Sequence, residues 1–343
     1  MATDGRSPRT PRAITVVGAG IMGLWQALVL ARAGHRVRLI EASPAPFAHA
    51  ASRLAGAMLA PGCESDGAPE ILGHGRQGLA LWRAVYPHLA NAGSLVVAAQ
   101  RDHAEQARFA RATAPPETLD ARALAACEPD LAGRFASAFF FPDEAHMTTP
   151  DALAFLLEAV RAAGADTIFG TPWCPPAESN DADLVIDCRG IAARDRLPAL
   201  RGVRGERLLV RTGEVHITRP VRLLHPRHPL YIVPWDGGRY LVGATVIESE
   251  DPGAITVRSA LELLGAAYAL HPAFAEAEVI ETGSGIRPAF PDNLPRAVVQ
   301  DDGRTILVNG AYRHGFLLAP VLAEAVRGHL ESGTAHPLLT IEA

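Results

Sequence analysis

Apolar and polar positions alternate in short blocks at the start of the chain. Residues 13–17 form an apolar run typical of a strand, and apolar side chains then recur with helical spacing over residues 21–28. A second apolar run covers residues 37–40 and closes on Glu41. The pattern predicts a strand, a helix and a second strand that ends in an acid.

Further helices and strands are predicted up to residue 187. The helices cover residues 78–89, 104–113 and 121–126, and the strands cover residues 95–98, 135–141 and 183–187. Another helix is predicted to begin with Thr149 as its N-cap and Pro150 at its first position.

Beyond residue 200 the pattern changes to closely spaced strands. Strands are predicted over residues 207–211, 231–233 and 239–245, and a turn at 236–238 joins the last two as a hairpin. An amphipathic helix follows, with Val257, Leu261, Leu264 and Tyr268 on one face. The chain closes with a strand over residues 305–308, a glycine turn and a helix over residues 316–330. Both the start and the end of the chain have a strand, a glycine turn and a helix, so we expect both to belong to one nucleotide-binding domain. The antiparallel region between them is then an insertion into that domain.

The turn after the first strand has the spacing G-x-G-x-x-G. Its residues are Gly18, Ala19, Gly20, Ile21, Met22 and Gly23. The first glycine permits a tight turn, the second lets the backbone approach a pyrophosphate, and the third lets the helix pack closely on the strand. The helix N-terminus offers N–H groups to the phosphates. Glu41, followed by Ala42, can accept hydrogen bonds from a ribose diol and would repel a 2′-phosphate, which disfavours NADP. The motif predicts a dinucleotide cofactor but does not by itself separate FAD from NAD.

Composition narrows the class of protein. The chain has 343 residues, 48% of them hydrophobic, and a net charge of −5, so we expect a large core and neither a nucleic acid nor a membrane as partner. Residues 1–12 are polar and basic, and we expect a disordered tail rather than a secretory signal. No run of about 18 apolar residues occurs, so no membrane-spanning helix is expected. The four cysteines are scattered, which argues against a disulfide framework and favours the reduced cytoplasm.

Two groupings of reactive side chains are set aside. His216, His225 and His228 have a spacing that fits no single-helix metal site, so we predict no metal. Cys63 and Glu64 are adjacent, but no base that could activate the thiol is evident near them in the sequence.

Several motifs, in order along the chain, resemble one family. They are the glycine turn and the segments 55–61 (A-G-A-M-L-A-P), 231–234 (Y-I-V-P), 242–245 (V-G-A-T), 285–288 (G-I-R-P), 291–295 (P-D-N-L-P) and 309–320 (N-G-A-Y-R-H-G-F-L-L-A-P). Together they resemble the FAD-dependent glycine oxidases of thiamine biosynthesis, within the D-amino-acid oxidase and sarcosine oxidase group. The resemblance runs from about residue 13 to residue 330.

The resemblance implies a mixed α/β (α+β) fold of the D-amino-acid oxidase type. In it a Rossmann-like FAD-binding domain is interleaved with an antiparallel-sheet substrate domain. We expect the FAD-binding domain over residues 13–82, 146–199 and 281–343, and the substrate domain over residues 83–145 and 200–280.

The resemblance also implies an activity. A flavin enzyme of this kind oxidises the C–N bond of glycine, or of a similar small amino acid such as sarcosine. The imine hydrolyses to the 2-oxo acid or passes to thiazole synthesis, and molecular oxygen reoxidises the flavin to give hydrogen peroxide. Thiazole synthase is then an expected partner, and we expect a homo-oligomer.

Three side chains are expected to act on the substrate. A guanidinium binds both oxygens of a carboxylate at once, and by resemblance Arg287 is the carboxylate clamp. By resemblance the Tyr231 hydroxyl closes over the same carboxylate, and Arg313 lies beside the flavin and the substrate. The helix that begins near Phe316 would direct its N–H dipoles at the flavin edge where negative charge develops.

The remaining cofactor contacts follow from the resemblance. Ala51 and Ser52 would touch the phosphates, Ala57, Met58 and Leu59 would pass near the isoalloxazine, and Trp173 would contact adenine through its backbone. Further contacts are expected from Cys188, Gly190, Gly310, Ala311, Tyr312, Arg313, His314, Gly315, Phe316 and Leu317. Noncovalent FAD is expected, because no cysteine follows Cys188 and no histidine lies at 53–54.

Some residues depart from the family pattern and leave the substrate open. Val246 stands where some relatives carry methionine, Phe290 where a small hydroxyl residue is common, and Ala57 where a glycine is expected. Three alternatives to a glycine oxidase therefore remain. They are a D-amino-acid or sarcosine dehydrogenase with an acceptor other than oxygen, a flavin-binding protein without turnover, and an NAD-dependent dehydrogenase.

Overall fold

The fold is taken from a computed structural model that describes residues 11–173, 183–225, 229–300 and 302–342. The helices are α1 (Ile21–Arg32), α2 (Glu70–Val85), α3 (His103–Ala112), α4 (Ala121–Cys127), α5 (Thr149–Ala162), α6 (Val257–Leu270) and α7 (Gly315–Ser332). The strands are β1 (Ala13–Val17), β2 (Arg36–Glu41), β3 (Met58–Leu59), β4 (Ser94–Ala98), β5 (Glu117–Asp120), β6 (Ser137–Phe141), β7 (Ala145–His146), β8 (Asp166–Phe169), β9 (Leu184–Asp187), β10 (Arg201–Arg211), β11 (Val221–Leu224), β12 (Leu230–Trp235), β13 (Arg239–Gly243), β14 (Glu278–Ala289), β15 (Arg296–Val299), β16 (Thr305–Asn309) and β17 (Leu339–Ile341). Across these described ranges, no helix combines the length and the apolar character needed to cross a membrane.

The first sheet carries the predicted strand–helix–strand opening. Within the described residues it has the order β17-β15-β16-β9-β1-β2-β8, and β1 pairs in parallel with both β2 and β9. Helix α1 follows β1 and is buried from Ile21 to Leu30, because α5 and α7 pack against it. The predicted βαβ unit is confirmed, and the late strand β16 returns to the same sheet beside β9.

The second sheet is mostly antiparallel, as predicted. Its order in the described residues is β14-β10-β13-β12-β11-β4-β6-β5. The predicted hairpin is β12 and β13. One pairing is parallel, since β4 lies beside β11 with Leu95 opposite Val221. A small third pairing joins β3 to β7.

The strand β14 was not predicted from the sequence, and it forms an edge of the second sheet. It pairs with β10 along its length, with Val203 opposite Arg287 and Gly202 opposite Pro288. A proline is tolerated there because an edge strand does not need every N–H group for pairing. The predicted domain limit between residues 280 and 281 falls inside this strand, so residues 281–289 lie in the second sheet. The other predicted limits stay a prediction.

Helix α2 begins at Glu70, eight residues before its predicted start at residue 78. Two glycines in this helix allow α2 to approach α7 closely. A Cβ on Gly78 would lie 1.9 Å from the Leu317 carbonyl oxygen, and one on Gly75 would lie 2.8 Å from the Leu317 side chain.

Pro320 lies inside α7, at its sixth residue, just after the first turn. A proline has no N–H group, so the Phe316 carbonyl lacks its normal helical partner. The Trp82 indole supplies a donor, with Nε1 2.6 Å from that carbonyl oxygen. Trp82 is fully buried and stacks on the Phe316 ring at 6.1 Å between centroids.

Two further helix predictions need correction. Helix α5 begins at Thr149 with Thr148 as its N-cap, and the Thr149 hydroxyl instead donates to the Ala55 carbonyl at 2.6 Å. Helix α6 forms as predicted, but Val257 and Leu261 on its apolar face are 78% and 67% exposed. The helix packs on the second sheet through its opposite side, which includes Leu263.

Candidate active site

The glycine turn holds β1, α1 and β9 in close contact. Gly18 has φ +95°, and a Cβ there would lie 2.7 Å from the Cys188 carbonyl oxygen. A Cβ on Gly23 would lie 1.7 Å from the Gly18 carbonyl oxygen. Gly20, by contrast, is followed by the open N-terminus of α1, where Ile21 N–H donates to Ser52 Oγ at 3.3 Å.

The N-terminus of α1 has the features of an anion site. The first bond of the helix ladder runs from Leu24 N–H to the Gly20 carbonyl at 3.0 Å, so the N–H groups of Met22 and Gly23 lie outside the ladder. Ser52 belongs to the short 3₁₀ turn Ala51–Leu54, which places a hydroxyl beside these donors. These residues fit a pyrophosphate, because N–H groups and the helix dipole both favour negative charge.

Glu41 lies at the end of β2 beside the same turn. Its Oε2 accepts from Ala19 N–H at 2.8 Å and its Oε1 from Ser43 N–H at 2.9 Å. The carboxylate is thus held in place with lone pairs left for a diol. Ala42 follows it and is exposed.

Trp173 lies near the carboxyl ends of β1 and β2, the same end of the first sheet as the glycine turn and Glu41. It packs with Val17 and Ile40, and the Arg189 guanidinium lies over its ring at 5.4 Å from the centroid. Arg189 is fixed in turn by Asp187. The role of Trp173 toward adenine stays a prediction.

The segment after β16 is tied to the turn after β9. Asn309 donates through Nδ2 to the Gly190 carbonyl and accepts from Gly310 N–H through Oδ1, both at 2.8 Å. Tyr312 N–H donates to the Pro288 carbonyl at 2.9 Å, which joins this segment to β14.

Helix α7 then begins at Gly315, close to the start of α1. A Cβ on Gly315 would lie 3.4 Å from Ile21 Cγ2. The ladder of α7 starts with Leu318 N–H bonded to the His314 carbonyl at 2.9 Å, so the N–H groups of Gly315, Phe316 and Leu317 lie outside it. The N-termini of α1 and α7 therefore lie close together, and each leaves N–H groups free of its own helix.

Ala57, Met58 and Leu59 run between the two sheets. Ala57 has φ +50°, a conformation that favours glycine and explains why a glycine is expected at this position. Its carbonyl accepts from Met147 N–H at 3.2 Å. Gly56, just before it, lies against Val233 and Leu241 of the second sheet.

The three predicted substrate residues lie together at the second sheet. Arg313 Nη2 donates to the Tyr231 hydroxyl at 3.3 Å. Arg287 lies on β14, which β10 and β13 separate from Tyr231 on β12, and its Nη1 donates to the Thr245 carbonyl at 3.1 Å. Its guanidinium covers Gly205 on β10, where a Cβ would lie 2.2 Å away.

The electrostatics of this cluster favour a bound anion. Loss of hydration and then the nearby charge of Arg313 lower the pKa of Arg287 to about 10, so it stays positively charged at neutral pH. Burial raises the pKa of Tyr231, so its hydroxyl stays a donor. Among the described residues no carboxylate is within ion-pair distance of Arg287, although most arginines nearby have one.

Sequence reasoning missed two charged residues of the cluster. Glu64 has Oε1 3.5 Å from Arg313 Nη2 and Oε2 3.3 Å from His314 Nδ1. Arg222 on β11 places its guanidinium 5.2 Å from the Tyr231 ring centroid and pairs with Asp66 at 2.7 Å. Because these partners come from distant parts of the chain, no local pattern marks them.

The segment that carries Glu64 is held by a buried acid. Glu144 Oε1 accepts from the N–H groups of Gly62 and Cys63, both at 2.8 Å. Burial raises the pKa of Glu144 to about 8, so it is mainly protonated at neutral pH. Burial also raises the pKa of the Cys63 thiol, which agrees with the expectation that this cysteine is unreactive.

The fold and the site define a flavin-dependent oxidoreductase. The chain belongs to the family of FAD dependent oxidoreductases that includes D-amino-acid oxidase, and the match covers residues 13–327. Its cofactor is therefore FAD, and the mixed α/β fold of the D-amino-acid oxidase type is confirmed.

Several named proteins are similar to this chain. The thiamine biosynthesis oxidoreductase ThiO of Rhizobium etli is 53% identical over 327 residues, which cover 94% of this chain and 98% of that protein. The crystal structure of glycine oxidase from Geobacillus kaustophilus has a TM-score of 0.82 at 25% identity and covers 96% of both chains. A bifunctional protein ThiO/ThiG of Trichormus variabilis is 26% identical over 96% of this chain, which spans 54% of that protein.

Proposed function

We propose that this protein oxidises glycine, or a small amino acid such as sarcosine, to the imine with oxygen as acceptor. The imine then hydrolyses to the 2-oxo acid or enters thiazole synthesis for thiamine, and hydrogen peroxide is the second product. The carrying observation is the Arg287 guanidinium, which lies near the charge of Arg313 and has a backbone carbonyl as its hydrogen-bond partner. A small amino acid supplies the carboxylate that this group lacks.

The residues of the cluster would bind and orient the substrate. Arg287 takes the carboxylate through two parallel N–H···O bonds, and the protonated Tyr231 hydroxyl donates a third. Holding the carboxylate in this way fixes the α-carbon, which is where positioning contributes most to the rate. FAD supplies the hydride acceptor when bound, and no side-chain base at the α-carbon is required for direct hydride transfer.

The cofactor would be held without a covalent bond. Met22, Gly23 and Ser52 would bind the phosphates, Glu41 the ribose, and the N-terminus of α7 the flavin edge that becomes negative. A fixed helix dipole stabilises such charge without reorganisation during the reaction.

The named relatives support the substrate and the pathway. Rhizobium etli ThiO is named for an oxidoreductase role in thiamine biosynthesis, and the Geobacillus kaustophilus protein is a glycine oxidase. The bifunctional ThiO/ThiG protein joins a part like this chain to a second part. We therefore propose a thiazole-forming enzyme as the consumer of the imine. The homo-oligomer and the cytoplasmic location stay predictions.

The test is an anaerobic glycine titration of the purified protein and of Arg287→Ala. We expect glycine to bleach the flavin band of the wild-type protein. The variant should keep FAD but lose about two orders of magnitude in kcat/KM, since loss of one partner from a charge pair costs about 2–5 kcal/mol. Arg211→Ala, which removes an exposed ion pair at the far end of β10, is the control and should behave as wild type.

Two outcomes would overturn parts of the proposal. Unchanged glycine turnover in Arg287→Ala would exclude this residue as the carboxylate clamp. A flavin band that glycine does not bleach would exclude glycine as substrate, and sarcosine and small D-amino acids would be tested next. Measured peroxide, one equivalent per substrate oxidised, separates an oxidase from a dehydrogenase with another acceptor.

A further inference from the structure

The guanidinium groups at the site differ in how their charges are balanced. Arg222 pairs with Asp66 at 2.7 Å, and Arg313 faces Glu64 at 3.5 Å. Arg287 donates to the Thr245 carbonyl and has no carboxylate partner in the part of the chain that the structure describes. The three arginines and two carboxylates therefore leave one positive charge unbalanced, at Arg287.

Glu64 is the carboxylate nearest the substrate residues. Its side chain is 9% exposed and its two oxygens face different groups, Arg313 and His314. Burial alone would raise the pKa of Glu64, but its bond to His314 and the charge of Arg313 outweigh that effect and lower it. Glu64 is thus ionised at neutral pH, whereas the neighbouring Glu144, whose pKa is raised to about 8, is mainly neutral.

The position of Glu64 has a consequence for the substrate. Arg313 donates to the Tyr231 hydroxyl at 3.3 Å, so its guanidinium lies directly beside the group expected to touch the substrate carboxylate. Without Glu64, Arg313 would be a second unbalanced cation and could take a second carboxylate. With Glu64 in place, a second carboxylate on the substrate would meet a fixed like charge in a poorly hydrated site.

We propose that Glu64 sets the charge selectivity of the substrate site, so that it accepts an amino acid with one carboxylate and rejects a dicarboxylate. This inference rests on the proposed function, since it concerns the same substrate cluster. Glu64 acts through Arg313 and through repulsion of an added anion, and it is a positioning and selectivity residue rather than a catalytic one.

The test compares two ligands of nearly the same shape that cannot be oxidised. Malonate has two carboxylates, whereas malonamate replaces one with a neutral amide. Their dissociation constants are measured on the FAD-bound protein by calorimetry, without turnover. We expect the wild-type protein to bind malonamate more tightly than malonate.

The decisive variant is Glu64→Gln, which keeps the shape and removes the charge. We expect the ratio of malonate to malonamate affinity to rise by at least about tenfold, since like charges a few ångströms apart repel by several kcal/mol at an effective dielectric constant near 20. Glu278→Gln removes an exposed carboxylate far along β14 and should leave the ratio unchanged. Glu64→Asp keeps the charge and should keep the wild-type preference.

Each outcome bears on the proposal. The proposal would be overturned if the ratio of malonate to malonamate affinity in Glu64→Gln stayed within about twofold of the wild-type ratio. Such a small change is what a residue with no charge effect on the ligand would give. If that variant does not retain FAD, the wild-type protein decides, because the proposal requires it to bind malonamate more tightly than malonate. Equal or tighter binding of malonate by the wild-type protein would overturn the proposal. The glycine titration is independent of this binding test, so failure of the proposed function and failure of the charge-selectivity proposal are distinguishable.

Discussion

The bond between Trp82 and the Phe316 carbonyl gives a prediction about the stability of α7. Trp82→Phe keeps an aromatic ring in the same place but removes the donor that replaces the missing Pro320 N–H. The Phe316 carbonyl is then buried without its partner. We expect the variant to have a lower free energy of unfolding than the wild type. We also expect the first turn of α7 to shift in position.

The magnitude follows from a matched comparison with Trp25→Phe. Trp25 is as buried as Trp82 and packs edge-on against it at 5.0 Å between centroids, but its Nε1 has no hydrogen-bond partner in the described residues. Both substitutions remove a similar volume, so packing losses largely cancel. The extra cost of Trp82→Phe should be that of an unsatisfied buried carbonyl, about 1–3 kcal/mol.

Pro320→Ala completes the design, because it restores the N–H group that normally bonds to the Phe316 carbonyl. In that background Trp82→Phe should cost less, and the difference between the two backgrounds is the coupling energy of a double-mutant cycle. Urea unfolding of the FAD-bound proteins measures all four free energies. If Trp82→Phe costs no more than Trp25→Phe, or costs the same in both backgrounds, the explanation of this bond is wrong.

Three further predictions concern the cofactor turn and a buried acid. Gly23→Ala would place a Cβ 1.7 Å from the Gly18 carbonyl oxygen, so the purified protein should lack the flavin absorbance band, and a full band would contradict this. Asn309→Ala removes two bonds of 2.8 Å and should weaken FAD binding by roughly tenfold, measured by fluorescence titration of the apoprotein. The pKa of Glu144 rises on folding to about 8, so its contribution to stability falls as pH rises from 4.5 to 8. In Glu144→Gln the free energy of unfolding, measured with urea at several pH values, should decrease less between pH 4.5 and pH 8 than in the wild type. An equal decrease in both proteins would refute this prediction.

The nucleotide-binding half of the fold could be predicted because its constraints are local. Gly18 requires a positive φ, Gly23 is fixed by its contact with the nearby Gly18 carbonyl, and the acid at Glu41 marks the end of β2. The same local constraint acts on Ala57, whose φ of +50° accounts for the glycine expected there. Such positions are visible in the sequence whatever the rest of the chain does.

Elements whose form depends on distant partners were not predictable to the same degree. The glycines of α2 look like breaks in a helix until Leu317 is placed against Gly78. The apolar face of α6 looks like a core face, yet the helix packs through the side that carries Leu263. Glu64 has no local signal, because the groups that give it a role, Arg313 and His314, are far from it in the sequence.

The parallel pairing of β4 with β11 means that neither half of the molecule can be cut out as a separate unit. The chain between these two strands contains β8 and β9 of the first sheet, and the chain between β9 and β16 contains most of the second sheet. The second sheet is therefore completed by strands that are synthesised after β8 and β9, and the first sheet is completed by β16, which is synthesised after most of the second sheet. These long-range pairings raise the contact order and make late assembly the slow step of folding. An excised domain would expose unpaired strand edges and aggregate, whereas a ligand that binds either half should protect the whole chain from proteolysis.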